Sequence, residues 1–329
     1  MLILTESDLR ALLTMRDVID EVERGFRAFG HENVTIPERL RLDVPPHDGV
    51  LLEMPAYADL DGQGILGTKI VSVFPQNPVR ALDIVQSAYL LLDCETGVPL
   101  SLMDGRFITA IRTAATSAVA TKHMSSPGSK RLAVFGAGLQ SQFHIEAMTE
   151  IAEIELVMIA SRSENKAHAL AERVRKFQNL PCELATPDQA ASQANLICTC
   201  TSSPVPLFNG SLLTTGTHMN AVGAFTPSTR ELDTEAVRRA RVIIDAGAAA
   251  GREAGEILIP ITEGAIDAGH VKGTLSDIVL GKIAGRDSAS EITLFKSCGL
   301  AIEDLVTARL AYDRAIGRGV GVRIEMSGI

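Results

Sequence analysis

No stretch of this 329-residue chain approaches the roughly 18 consecutive apolar residues of a membrane-spanning helix. The opening MLILTESDLRALLTM is broken by charges and so is not a secretory core, which leads us to expect a cytoplasmic protein with no membrane partner. Positive charge is in deficit. Lys and Arg number 31 against 40 Asp and Glu, a net charge of −9, which argues against nucleic acid or an anionic membrane surface as the main partner. The five cysteines are odd in number and scattered. Only Cys198 and Cys200 lie close together, and without two further ligands nearby they read as small apolar core residues rather than a metal site. None of the seven histidines falls into HExxH or another metal spacing, no serine sits in GxSxG, and internal repeats are absent.

What is present divides in two. From RLAVFG onward, strand-like runs alternate with helical ones: ELVMIAS (155–161), ENKAHALAERVRKF (164–177), ANLICTCT (194–201), THMNAVG (217–223) and ARVIIDA (240–246). Such alternation predicts an α/β fold, a Rossmann-type doubly wound parallel sheet. The first 110 or so residues read differently. One helix is expected over SDLRALLTMRDVIDEVERGFRAFG, then RLRLDV, GVLLEMPAY, LGTKIVSVF and QSAYLLLD separated by turn signals, which suggests a smaller α+β domain with an antiparallel sheet. A helix over FITAIRTAATSAVATKHM should lead into the second domain, and LAIEDLVTARLAYDRAIGRG has the spacing of a helix returning to the first. We therefore expect residues 1–118 with 303–329 as one domain and 119–302 as the other. GRDSASE reads as a solvent loop, and Asp304, in the first turn of the last helix, as a complement to the helix dipole.

In FGAGLQSQFH, Gly136 and Gly138 suit a strand-to-helix turn in which backbone N–H groups approach a pyrophosphate. Ser141 stands where a third glycine usually helps the helix pack. At the end of the next strand an Asp or Glu would accept from the ribose 2′-hydroxyl of NAD. The chain has Ser161, Arg162 and Ser163, donors and a cation that favour NADP(H), with NAD(H) retained as the alternative. In the first domain Lys69 and Arg112 are cations set among small and apolar residues. Burying either one unpaired would cost several kcal/mol, so each requires an anionic ligand or an internal acid. Arg39 and Arg41 alternate and share a face. His218 reads as a hydrogen-bonded core residue.

Taken in order, GTKIVSVFPQN, LMDGRFITAIRTAATSAVATKH, FGAGLQSQFH, GTHMNAVGAFTPSTREL and ITLFKSCGLAIEDLVTARLAYDRA resemble the ornithine cyclodeaminase/mu-crystallin family over nearly the whole chain. The resemblance implies a Rossmann domain joined to a domain whose sheet pairs in a homodimer. It implies a substrate carboxylate held by Arg39, Lys69 and Arg112, with Met54 and Phe225 also facing the substrate. On the dinucleotide side it implies Thr113, Gly136, Ala137, Gly138, Leu139, Gln140, Ser161, Arg162, Ser163, Thr201, Ser203, Val222 and Ser297. No metal is implied.

The cyclodeaminases and the alanine dehydrogenase type carry an Asp two residues after NAVG, where this chain has Phe225. A phenyl ring cannot take a proton from an α-ammonium group. The resemblance thus favours a ketimine reductase, forming an L-amino acid from a small imino acid such as Δ1-pyrroline-2-carboxylate or Δ1-piperideine-2-carboxylate, with Lys69 and Arg112 as catalytic residues. Lys69 is left open as proton donor or carboxylate anchor. The alternatives are ornithine cyclodeaminase, an iminosuccinate reductase using Arg41 or Arg80 for a second carboxylate, an alanine dehydrogenase, and a non-enzymatic NADPH- and ligand-binding protein.

Overall fold

A computed structural model describes residues 1–246 and 251–325. The chain divides into two compact units, Met1–Arg112 together with the chain from Leu300 onward, and Thr113–Gly299.

The first unit contains β1 (Leu2–Leu4), β2 (Val34–Thr35), β3 (Leu40–Val44), β4 (Gly49–Leu60), β5 (Gln63–Val73), β6 (Val85–Leu92) and β7 (Pro99–Asp104). The sheet runs Val322–Arg323, β1, β7, β6, β5, β4, β2, with β3 also on β4. It is mixed rather than wholly antiparallel, because β1 enters beside β7 in the parallel sense. Strand alternation sorts its faces. Val50, Leu52, Met54, Ala56, Ala58 and Leu60 of β4 are all buried on the face covered by helices Met15–Gly30 and Ala301–Arg318. On the opposite face Leu40, Leu42, Tyr57 and Ile70 stand exposed.

The single N-terminal helix expected from the apolar spacing is two helices, Glu6–Leu12 and Met15–Gly30. Leu13 is extended, and Thr14 caps the second helix by accepting from the Asp17 N–H, a local bond that outweighs continued helical periodicity.

The second unit holds β8 (Lys130–Phe135), β9 (Ile154–Ala160), β10 (Cys182–Leu184), β11 (Leu196–Thr199), β12 (His218–Ala221), β13 (Ala240–Ile244), β14 (Val271–Thr274) and β15 (Ile292–Lys296). Their order is β10, β9, β8, β11, β12, β15, β13, β14, and every pairing is parallel. Helices Leu139–Ile151 and Glu164–Phe177 are the first two crossovers. The order reverses between β8 and β11, the crevice where open α/β sheets bind ligands beyond their strand ends. GRDSASE is more than a solvent loop. Arg286 donates from it to the carbonyls of Met124, Gly216, Ser288 and Glu291 and so anchors the segment.

Candidate active site

The register of the first unit places Met54, Lys69, Tyr89 and Met103 opposite one another on four consecutive strands, hence on one face. All four are buried. Arg39 lies half-buried at the residue before β3, so continuing the β3–β4 register would bring it opposite Met54. The lysine of this row meets an acid from the C-terminal helix. Lys69 Nζ donates to Asp304 Oδ2 at 2.7 Å, and Arg112 Nε donates to Asp304 Oδ1 at 3.0 Å. Arg112 also donates to Glu303 Oε2 at 2.6 Å, while Glu303 Oε1 accepts the Leu300 N–H at 2.8 Å.

The two cations thus have internal acids, and Asp304, in the first turn of helix Ala301–Arg318 as expected, is also their shared partner. Its side chain is fully buried, and a carboxylate there is tolerable only because both its oxygens are paired. Burial, with the Arg112 charge beside it, pulls the Lys69 ammonium down to about 8. Burial also acts against the Arg112 guanidinium, but Asp304 and Glu303 outweigh it and hold the proton more tightly. The Tyr89 hydroxyl is buried without a hydrogen-bond partner among the described residues, and burial followed by the Asp304 charge keeps it protonated.

In the second unit, β8 ends in the glycine turn. Gly136 has φ +107°, and a Cβ there would lie 2.8 Å from the Cys200 carbonyl oxygen. At Gly138 a Cβ would meet nothing within 4 Å. Gly138 begins helix Leu139–Ile151 with no side-chain cap, so the first N–H groups of the helix have no local side-chain acceptor. Buried Gln140 Oε1 and Ser141 Oγ are also without partners among the described residues. Open space, uncapped donors and orphaned polar atoms fit a pyrophosphate against Ala137, Gly138, Leu139 and Gln140. Ser161, Arg162 and Ser163 follow β9, with Arg162 exposed and Glu164 already the first residue of the next helix.

Thr201 and Ser203 follow β11, Val222 and Phe225 follow β12, and Ser297 follows β15, all at the C-terminal ends of parallel strands. Thr201 donates from both N and Oγ1 to Glu231 Oε1 at 2.7 Å, and Ser297 Oγ donates to Asp245 Oδ2 at 3.1 Å. Phe225 is 38% exposed. Thr113 is half-buried within helix Gly105–Met124.

His218 is a core residue. Its Nδ1 meets Thr293 Oγ1 at 2.9 Å, and burial, then the Arg286 charge, lowers it to about 3. Among the described residues no group of three His, Cys, Asp or Glu could hold a metal ion. Arg41 is exposed and paired with Asp43. Sequence reasoning missed Glu303 and Tyr89, gave Asp304 a lesser role, and passed over Glu231. Register alone reveals Tyr89, and only the fold brings the three acids to their partners.

Comparison with known proteins points to one family over most of the chain. The model of the ornithine cyclodeaminase/mu-crystallin family matches residues 1–319. A Δ1-pyrroline-2-carboxylate reductase of Bacillus cereus is 37% identical over 327 residues, 99% of this chain and 100% of that protein. Mouse ketimine reductase mu-crystallin is 35% identical over 84% of each chain. The structure of Thermococcus litoralis Δ1-pyrroline-2-carboxylate reductase in complex with NADH and L-proline superposes with a TM-score of 0.95 at 38% identity, covering 98% of this chain and 100% of that one. The chain belongs to the ornithine cyclodeaminase/mu-crystallin family.

Proposed function

We propose that this protein reduces a cyclic α-imino carboxylate, Δ1-pyrroline-2-carboxylate or its six-membered homologue, to the L-amino acid, with a nicotinamide dinucleotide as hydride donor. The observation that carries the reading is the buried Lys69, Arg112 and Asp304 cluster, in a chain that matches end to end a reductase structure holding NADH and L-proline. The dinucleotide supplies the hydride when bound. The chain's own residues supply the rest. Arg112, helped by Arg39, takes the substrate carboxylate with a planar fork that an ammonium cannot imitate. Lys69 donates one of its three N–H bonds to Asp304 and directs the others at the substrate. With its proton affinity lowered to about 8, it is a donor matched to neutral pH for the nitrogen that gains an electron pair on reduction. Asp304 then faces a neutral amine and favours its reprotonation. Met54 gives an apolar wall suited to ring methylenes, and Phe225 is a side chain that cannot take a proton.

We infer that NADPH is preferred over NADH. Support comes from Ser161, Arg162 and Ser163 and from the lack of an acid there before Glu164. We also assign a homodimer, supported by the exposed Leu40, Leu42, Tyr57 and Ile70, which share one face of the first sheet. Arg41, already paired with Asp43, gives the iminosuccinate alternative no support. The test is dinucleotide oxidation with Δ1-pyrroline-2-carboxylate, NADPH and NADH side by side, with proline identified as product. Proline formation is expected; ammonia release from ornithine with no imine reduction would overturn the reading.

A further inference from the structure

A buried polar assembly outside the cation cluster surrounds Glu231. This side chain is fully buried, and its carboxylate accepts four hydrogen bonds from two neighbouring strand ends. Oε1 accepts from Thr201 N and Thr201 Oγ1, and Oε2 from Thr199 Oγ1 and Gly223 N, all at 2.7 Å. Nothing larger than glycine fits at 223, where a Cβ would lie 2.1 Å from the Thr201 carbonyl oxygen and 2.6 Å from Glu231 Oε1. The clasp is itself anchored. The Glu231 N–H donates to Glu256 Oε1 at 2.9 Å, Glu256 pairs with Lys296 at 3.0 Å, and Lys296 Nζ donates to the Ala224 carbonyl.

We propose that Glu231 is a positioning residue for the dinucleotide. One carboxylate ties the segment after β11 to the segment after β12, and thereby holds Thr201 and Val222 in the shape that receives the cofactor. This inference rests on the dinucleotide-binding reading of the glycine turn. The bonding pattern makes the carboxylate irreplaceable by its amide. Each oxygen takes one backbone N–H and one hydroxyl; a hydroxyl can rotate, but an N–H cannot. In Glu231→Gln, whichever way the amide turns, its NH2 faces a backbone donor.

The experiment is dissociation constants of NADPH and NADH for the full-length protein, by quenching or enhancement of nicotinamide fluorescence, alongside thermal unfolding. Glu231→Gln should weaken both dinucleotides at least tenfold and equally, because the clasp does not touch Ser161–Ser163. Thr199→Val removes one hydroxyl from the clasp without altering any proposed cofactor contact, and should weaken both about threefold in a folded protein. KM for the dinucleotide should rise in step, with kcat at saturation nearly retained. Wild-type affinity in both variants, whatever their melting temperatures, would overturn the proposal. Wild-type protein that binds neither dinucleotide would overturn this inference together with the reading beneath it.

Discussion

The two units place their chemistry on different parts of a sheet. In the second, the candidate residues other than Thr113, which lies in helix Gly105–Met124, stand in the turns and helix start beyond the ends of β8, β9, β11, β12 and β15, and the strands beneath them are mostly buried. In the first, they stand on the face of the sheet itself, in a row across β4, β5, β6 and β7, under a helix that contributes the acids. A parallel sheet covered on both faces is built mostly of apolar strands, and a polar side chain buried within it needs a partner, as Asn220 has in Thr121 Oγ1. An antiparallel sheet with one free face can carry a charged row inside, provided the covering helix answers every charge. Function and stability are therefore separable at an exposed loop position such as Arg162 and inseparable in the buried charged row of the first unit.

Arg112→Ala would test that inseparability most severely. It leaves Glu303 and half of Asp304 buried without their cation, at a cost of about 3–5 kcal/mol in stability. It also removes the fork proposed for the substrate carboxylate, so kcat/KM should fall about a thousandfold, roughly 4 kcal/mol of transition-state binding. Arg112→Lys should restore most of the stability and only part of the rate. Denaturant unfolding and imine-reduction kinetics on the same samples check both. Full catalytic efficiency in Arg112→Ala would remove Arg112 from the site, and an unchanged unfolding midpoint would refute the coupling.

The same contrast governs how much was legible beforehand. A strand, a glycine turn and a helix are contiguous in sequence, so Gly136, Gly138 and the segment Ser161–Ser163 stand out as soon as strands and helices alternate. Lys69 and Arg112 were legible as misplaced charges, which are costly among apolar neighbours. Their partner was not. Asp304 lies 235 residues from Lys69, and a carboxylate in the first turn of a helix is so well explained by the dipole that nothing local asks for more. Glu231 is hidden for the same reason, since PSTREL resembles a solvated turn and its four donors come from segments 8 to 32 residues away. The break at Leu13 escaped because apolar spacing runs unbroken across it, while the capping bond that decides it belongs to Thr14. Local periodicity reports which face is buried; it does not report which distant charge meets it.

The pH dependence gives a gentler test of the charged row. The Lys69 ammonium, lowered to about 8, is the form that pairs with Asp304 and donates a proton. Below that pH it is charged; above it the neutral amine does neither. kcat/KM should accordingly fall on the alkaline side with an apparent pKa near 8, about tenfold per pH unit beyond it. In Lys69→Arg the residual activity should lack this limb, because a guanidinium stays protonated throughout. A descending limb identical in the two proteins would assign the titration to another group, the substrate imine included.

The smallest effect should come from the opposite end of the comparison. Arg162 is exposed and lies in a loop beyond β9; under the proposed NADPH preference it would meet the 2′-phosphate. Because no buried charge depends on it, Arg162→Ala should leave the unfolding midpoint where it was. An exposed cation against a phosphate is worth little more than one screened ion pair and its hydrogen bonds, so KM for NADPH should rise about tenfold, less at high salt. KM for NADH, which has a hydroxyl at that position, should change less than about twofold. The selectivity ratio from paired kinetics at two ionic strengths reads the result. If both dinucleotides weaken together, Arg162 contributes to loop shape rather than to phosphate recognition; if neither changes, NADPH preference must be sought elsewhere.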